Sequence, residues 1–253
     1  MFKLGLAWEP NERFKAGITI TPPNAKLFGK GELLNQVVLN GRPGGGSSFI
    51  GRTFQQGLST HWRNPLTISA GAEYQITSAW AFALQLDYWS SLEAQDVLSV
   101  DQNQVFNINP AFAGQSRVGT GPVMVDKRRT VVNVSAGTEY RFNPTYAGYL
   151  GFWTDFSPYS VDTVQGRDLD YGFSLAFSTL DIYNVIFGLT RRTEKTLVGV
   201  GLNFSWGSGV SPGNLDFVSD AGATNRPGRL ADNVDRTVSL FTTSLLIGFT
   251  YFL

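Results

Sequence analysis

Apolar residues alternate strictly with small or polar ones in a series of segments about ten residues long. In residues 66–76, Leu66, Ile68, Ala70, Ala72, Tyr74 and Ile76 fall on one face, with Thr67, Ser69, Gly71, Glu73 and Gln75 on the other. Two is the side-chain period of a β-strand, so the pattern predicts a strand with two unlike faces. Residues 80–88 repeat it after a short turn, with Trp80, Phe82, Leu84, Leu86 and Tyr88 opposite Ala81, Ala83, Gln85 and Asp87. The same reading predicts strands at 2–8, 14–21, 132–142, 148–156, 181–191, 197–206 and 237–253. Strands of about ten residues with aromatic ends and one polar face are the signature of a transmembrane β-barrel.

The connections alternate in length. Short turns are expected at Pro10, Asn11 and Glu12, at Asn143, Pro144 and Thr145, and at Arg192, Thr193 and Glu194, where turn-forming residues gather. Residues 22–65, 90–129, 157–180 and 207–236 read instead as long external loops, the first carrying a glycine-rich run from Gly41. Residues 169–177 also alternate, but counting them as a crossing would put a long loop on the periplasmic side and the last strand's end outside. They are therefore left in an external loop. Nine crossings result, beginning with a descending one. Single-chain bacterial barrels have even strand numbers, and no basic, apolar and small-residue secretory signal opens the sequence. Both features lead to the expectation of a single, N-terminally truncated barrel domain over residues 1–253.

Composition narrows the alternatives. Glycine is abundant at 28 residues, mean hydropathy is near zero, and no run of about eighteen apolar residues offers a helical span. Formal charge sums to zero without a basic run, which gives no electrostatic reason for a nucleic-acid partner. Cysteine is absent, so there is no disulfide framework.

Three stretches carry a family resemblance. The first joins Asn64-Pro65, Gly71-Ala72-Glu73-Tyr74, Trp80 and Asp87-Tyr88-Trp89; the second joins Gly137-Thr138-Glu139-Tyr140-Arg141, Gly151-Phe152 and Asp155-Phe156-Ser157-Pro158. The third joins Asp181-Ile182-Tyr183, Gly188-Leu189, Gly199-Val200-Gly201-Leu202 and Trp206-Gly207-Ser208-Gly209. In order and spacing the chain resembles the FadL-like outer-membrane transporters of long-chain fatty acids and aromatic hydrocarbons. That resemblance implies a fourteen-stranded barrel plugged by an N-terminal hatch, of which this chain would supply about nine C-terminal strands. The family's hatch and its kinked early strand have no counterpart here. A terminal phenylalanine read by the barrel assembly machinery is also implied, and this chain departs by one position, closing on Phe252-Leu253.

Lumen-facing charges are the first candidates for the substrate path: Glu73, Asp87, Glu139, Arg141 and Asp155, together with Lys3 and Lys15, which would neutralise a fatty-acid carboxylate. Ion pairs that cross-link the barrel interior are the competing role for these groups. Apolar residues in the loops form the second set, as a landing surface for a lipid-like ligand or as packing between loops: Leu27, Phe28, Leu33, Leu34, Val37, Val38 and Leu39, then Tyr171, Phe173, Leu175 and Phe177. His61, the only histidine, stands near Ser59 and Arg63, but nothing in the sequence assembles a hydrolase triad around it. Asp216, Asp220, Asp232 and Asp235 follow no calcium-loop pattern. No cofactor, metal or catalytic residue is expected. The function expected is passive passage of hydrophobic small molecules through the bacterial outer membrane, with membrane lipid, the hydrophobic ligand and the assembly machinery as partners. A FadL-like barrel with a structural or secretion-accessory role is the alternative.

Overall fold

The computed structural model describes residues 2–24, 28–39, 49–101, 104–108, 117–119, 124–164, 173–174, 178–211 and 236–252. In chain order its elements are β1 (Leu4–Asn11), β2 (Phe14–Thr21), β3 (Lys30–Leu39), β4 (Phe49–Ser59), β5 (Thr67–Gln75), β6 (Trp80–Trp89), β7 (Leu92–Asp96) and β8 (Gln104–Ile108). There follow β9 (Arg117–Gly119), β10 (Met124–Arg128), β11 (Val131–Arg141), β12 (Tyr146–Asp155), the helical turn α1 (Val161–Val164), β13 (Phe173–Ser174), β14 (Asp181–Arg192), β15 (Thr196–Ser211) and β16 (Arg236–Tyr251). The fold is all-β.

Nine strands form one antiparallel sheet in the order β1-β2-β5-β6-β11-β12-β14-β15-β16. This is the up-and-down course that the alternation predicts for a barrel wall, with all nine expected strands present. β1 and β16 are its two edges and do not pair with each other. The sheet passes from β12 directly to β14, so Phe173–Ser174, within the alternating residues 169–177, is not one of its strands; that pair of residues lies parallel to β10 in a separate sheet.

Registers carry the two faces without a slip from β2 to β16. Ala72 lies opposite both Ala16 and Leu84, Leu84 opposite Ala136, Ala136 opposite Phe152, Phe152 opposite Val185, Val185 opposite Phe204, and Phe204 opposite Thr243. Directly opposed residues share a face, so one side of the sheet is a continuous apolar surface, with Asp181 and Arg191 only at the two ends of β14, and the other carries glycine, serine, threonine and most of the charges. The apolar surface is exposed, with Leu4, Phe82, Leu150, Leu189 and Ile247 all open.

Four tight turns sit at one end of the sheet, and each uses the same device. Asn11 Oδ1 accepts from the Arg13 and Phe14 amides, Thr77 Oγ1 from Ala79 and Trp80, Asn143 Oδ1 from Thr145 and Tyr146, and Thr193 Oγ1 from Thr196. A short side chain that bonds the backbone two or three residues ahead closes the turn in place of a ladder bond. The first turn corrects the sequence reading: β1 continues through Pro10 to Asn11 rather than stopping at Trp8. Its register is irregular between Trp8 and Asn11, and an edge strand tolerates the missing proline N–H there.

At the other end the long connections are not plain loops, which is the second correction. β3, β4, β8 and β9 make one small sheet and β7, β10 and β13 another. Leu33, Leu98 and Val100 form a shared core between them, flanked by Leu58 and Met124. Backbone bonds from His61 to Val97 and from Ser99 to Ser59 stitch the two connections together, and Gln55 exchanges two bonds with Asp101. Gly57, at a φ of 70°, takes up the register shift in the β3–β4 hairpin, a conformation that suits glycine. These elements form a cap beside the long-loop end of the nine-strand sheet.

Candidate functional site

The polar face of the sheet holds a hollow of about 760 Å³ over β2, β5, β6, β11 and β12. Its middle is lined by small groups, with Gly71, Gly137 and Gly151 among them, because side chains there would fill the space. Lys15 and Glu73 stand opposite each other on neighbouring strands at its turn end. Nearer the turns, Arg141 Nε donates to Glu139 Oε1 at 3.0 Å, so these two candidates form an ion pair. At the other end Gln85 donates to both carboxylate oxygens of Asp87, at 2.8 and 3.0 Å. Asp155 lies opposite Ile182 beside the long connections, and Lys3 precedes β1 on the same parity as Gly5. All seven candidates therefore share the face that alternation assigned to them. They are not gathered into one site: Lys15, Glu73, Glu139 and Arg141 lie toward the turns, and Lys3, Asp87 and Asp155 toward the opposite end.

The rest of that face has a different character. Along β14, β15 and β16 the residues between Ile182 and Thr190, Leu197 and Gly207, and Leu240 and Thr250 that share it are uncharged. Ile182, Ile186, Leu240 and Leu246 supply apolar surface. Buried Asn184 and Ser205 form a short chain with Asn203, in which Asn203 Nδ2 donates to Ser205 Oγ at 3.0 Å and Ser205 Oγ donates to Asn184 Oδ1 at 2.6 Å. Asn203 Oδ1 is buried with no partner. Tyr149 reaches from β12 across Gly188 and Gly201, its hydroxyl donating to the Val200 carbonyl at 3.4 Å. Sequence reasoning did not single out this uncharged lane, although Gly188, Gly199 and Gly201 recurring on one face were the available signal.

Among the loop candidates the structure separates two roles. Leu33 is 8% exposed in the cap core, so it packs the loops together rather than meeting a ligand. Phe28 is exposed, and Leu34 lies directly opposite Phe54 with both 53% exposed. Leu27, Tyr171, Leu175, Phe177, Asp216, Asp220, Asp232 and Asp235 lie outside the described residues, as do the side chains of Val37, Val38, Leu39 and Phe173. Ser59 Oγ lies 3.3 Å from His61 Nε2 in an exposed position. No carboxylate bonds that ring among the described residues, and none of their acid, histidine and cysteine groups clusters to hold a metal.

The cap contains a polar cluster that the sequence did not announce. Asp126, 1% exposed, pairs with Arg128 through Nε to Oδ1 at 3.1 Å and Nη2 to Oδ2 at 3.0 Å. The Arg128 guanidinium also lies over the Trp62 ring, 5.6 Å from its centroid. Gln95 stands opposite Asp126, with both amide atoms buried and unpartnered. Burial pushes the Tyr159 hydroxyl above its usual value, and the Asp126 charge pushes it further. Burial alone would lower the Arg128 guanidinium, but its hydrogen bond and charge contact with Asp126 outweigh that and raise it. Next in sequence, Arg129 anchors the cap to the sheet by donating to the Ser157 carbonyl at 3.0 Å and pairing with Asp181 at 3.3 Å.

No family model and no curated protein matches the chain. Among solved structures it is similar to the CymD monoaromatic hydrocarbon channel, with 14% sequence identity and a TM-score of 0.46 over 81% of this chain. The match covers 46% of that channel, so the chain spans less than half of its length.

Proposed function

We propose that this chain forms part of the wall of a FadL-like outer-membrane β-barrel that lets hydrophobic small molecules, such as long-chain fatty acids or aromatic hydrocarbons, cross by passive diffusion. The observation that carries the reading is the exposed apolar face, unbroken over nine antiparallel strands and backed by a face of small and polar groups. Water would make so large an apolar surface costly, whereas a bilayer requires it. Two polar side chains on that face are satisfied within the sheet: Trp80 Nε1 donates to Thr138 Oγ1 at 2.7 Å, and that hydroxyl donates to the Ala81 carbonyl at 2.9 Å. Such closure is what hydrocarbon surroundings demand. The uncharged lane along β14 to β16 supports passage of apolar solutes, which would leave the charged half of the wall to water.

Uptake of radiolabelled oleate and toluene by cells expressing the full-length gene tests the proposal. Faster uptake of either than in vector controls is the expected result. Normal assembly in the outer membrane with no gain for either solute would overturn transport and favour the structural role.

A further inference from the structure

We infer that the apolar face carries a binding site for one anionic phospholipid, an inference that rests on the membrane reading above. A groove of about 830 Å³ crosses this face in its turn-end half, lined by Trp80, Tyr140, Phe142, Leu150, Leu189 and Leu245. Gly148 makes its floor. This glycine stands opposite Tyr140 on one side and Leu189 on the other, and a β-carbon there would press to 3.1 Å from the Phe142 ring. Carbon surfaces without charge recognise an acyl chain, and the volume is in the range of small-molecule sites.

The second observation is a cation at the end of the groove. Arg191 shares the apolar face, because it lies opposite Tyr146 and Val198. It stands two residues beyond Leu189 toward the turn, about 7 Å along the strand. Its side chain is exposed, and it has no ion-pair or hydrogen-bond partner among the described residues. An arginine on a lipid-facing surface lies where its guanidinium reaches the headgroup layer, and a phosphate accepts two parallel bonds from it. The adjoining turn adds Arg192, Glu194 and Lys195, a net positive set, although Arg192 is engaged over the Phe252 ring at 5.8 Å. A lipid of negative net charge, with its chain in the groove and its phosphate on Arg191, satisfies both features at once.

Trp80 lies in the groove and reports on it. The protein expressed from the full-length gene is reconstituted into phosphatidylcholine vesicles in which either a small fraction of phosphatidylglycerol or an equal fraction of the phosphatidylcholine carries brominated acyl chains. The quenching lost on Trp80→Phe isolates that indole. Brominated phosphatidylglycerol should quench Trp80 about fivefold more per mole than brominated phosphatidylcholine. Arg191→Glu should abolish the difference and Arg191→Lys should retain it; Arg191→Gln replaces the reversal if assembly fails. Equal quenching by the two lipids would overturn the headgroup site while leaving the membrane reading intact, and a preference unchanged in Arg191→Glu or Arg191→Gln would overturn the role of Arg191. No quenching of Trp80 by either lipid would instead remove the membrane reading itself.

Discussion

The Tyr149 hydroxyl occupies the space that a β-carbon on Gly201 would need, two strands away across Gly188. The ring thus lies along the wall instead of projecting from it. Gly201→Ala should destabilise the folded protein by about 1 to 3 kcal/mol through overpacking, and Tyr149→Phe should recover part of that loss by removing the clashing oxygen. Gly188→Ala should not be rescued in the same way, because its β-carbon would also meet the Val200 carbonyl oxygen. A double-mutant cycle in a urea titration of the refolded protein measures both. Additive losses for Gly201→Ala with Tyr149→Phe would contradict the packing.

The assignment of faces predicts how charge is tolerated. Arginine at Leu84 or Phe152 on the apolar face should cost about 2 to 4 kcal/mol near the bilayer midplane. Arginine at Gln85, one residue along β6 and on the polar face, should cost far less. Equal losses at Leu84 and Gln85 in a folding titration into vesicles would refute the faces.

Orientation is open to chemical labelling, since short turns and the cap lie at opposite ends of the sheet. A cysteine at Glu93, exposed in the cap, should react with an impermeant thiol reagent on intact cells. One at Thr77, in a tight turn, should be protected until the outer membrane is breached. The reverse pattern would invert the topology.

The cap should weaken in alkali. Because the folded state raises the Tyr159 hydroxyl above its ordinary value near 10, the folded protein binds that proton more tightly than the unfolded chain. The corresponding stability is whole below pH 10 and is lost as pH rises through the raised value. Melting followed by circular dichroism should therefore show a larger fall in Tm between pH 9.5 and pH 11 for the native sequence than for Tyr159→Phe. Equal falls would mean that Tyr159 titrates alike in both states.

The nine strands and their faces were legible in the sequence because a wall with unlike surroundings on its two sides imposes a period of two on every strand. The side chains at Glu73, Asp87 and Glu139 fell on the expected face for that reason. The cap was not legible, since β7, the segment after it and β10 are held by partners far away in the chain, such as Leu33 for Leu98 and Gln95 for Asp126. Asp126 and Arg128 look in sequence like part of a solvated charge run, and only the fold over them makes the aspartate buried. Tyr149 followed the alternation, but the space it fills belongs to glycines of two other strands. Leu33 and Phe28 could not be told apart by hydrophobicity, which does not say whether a loop residue meets another loop or the solvent.

Bare margins have a steep cost in hydrocarbon. β1 and β16 end the sheet, and along the sixteen residues of β16 every second one turns its N–H and C=O outward. Left unbonded in a bilayer core, each such group costs several kcal/mol, so the margin as a whole would cost on the order of tens of kcal/mol, more than the net stability of a typical domain. Membrane residence of this sheet is therefore conditional on further strands zipped to both margins, and insertion has to be templated: a β-strand from elsewhere must take up those bonds as β16 and β1 leave water.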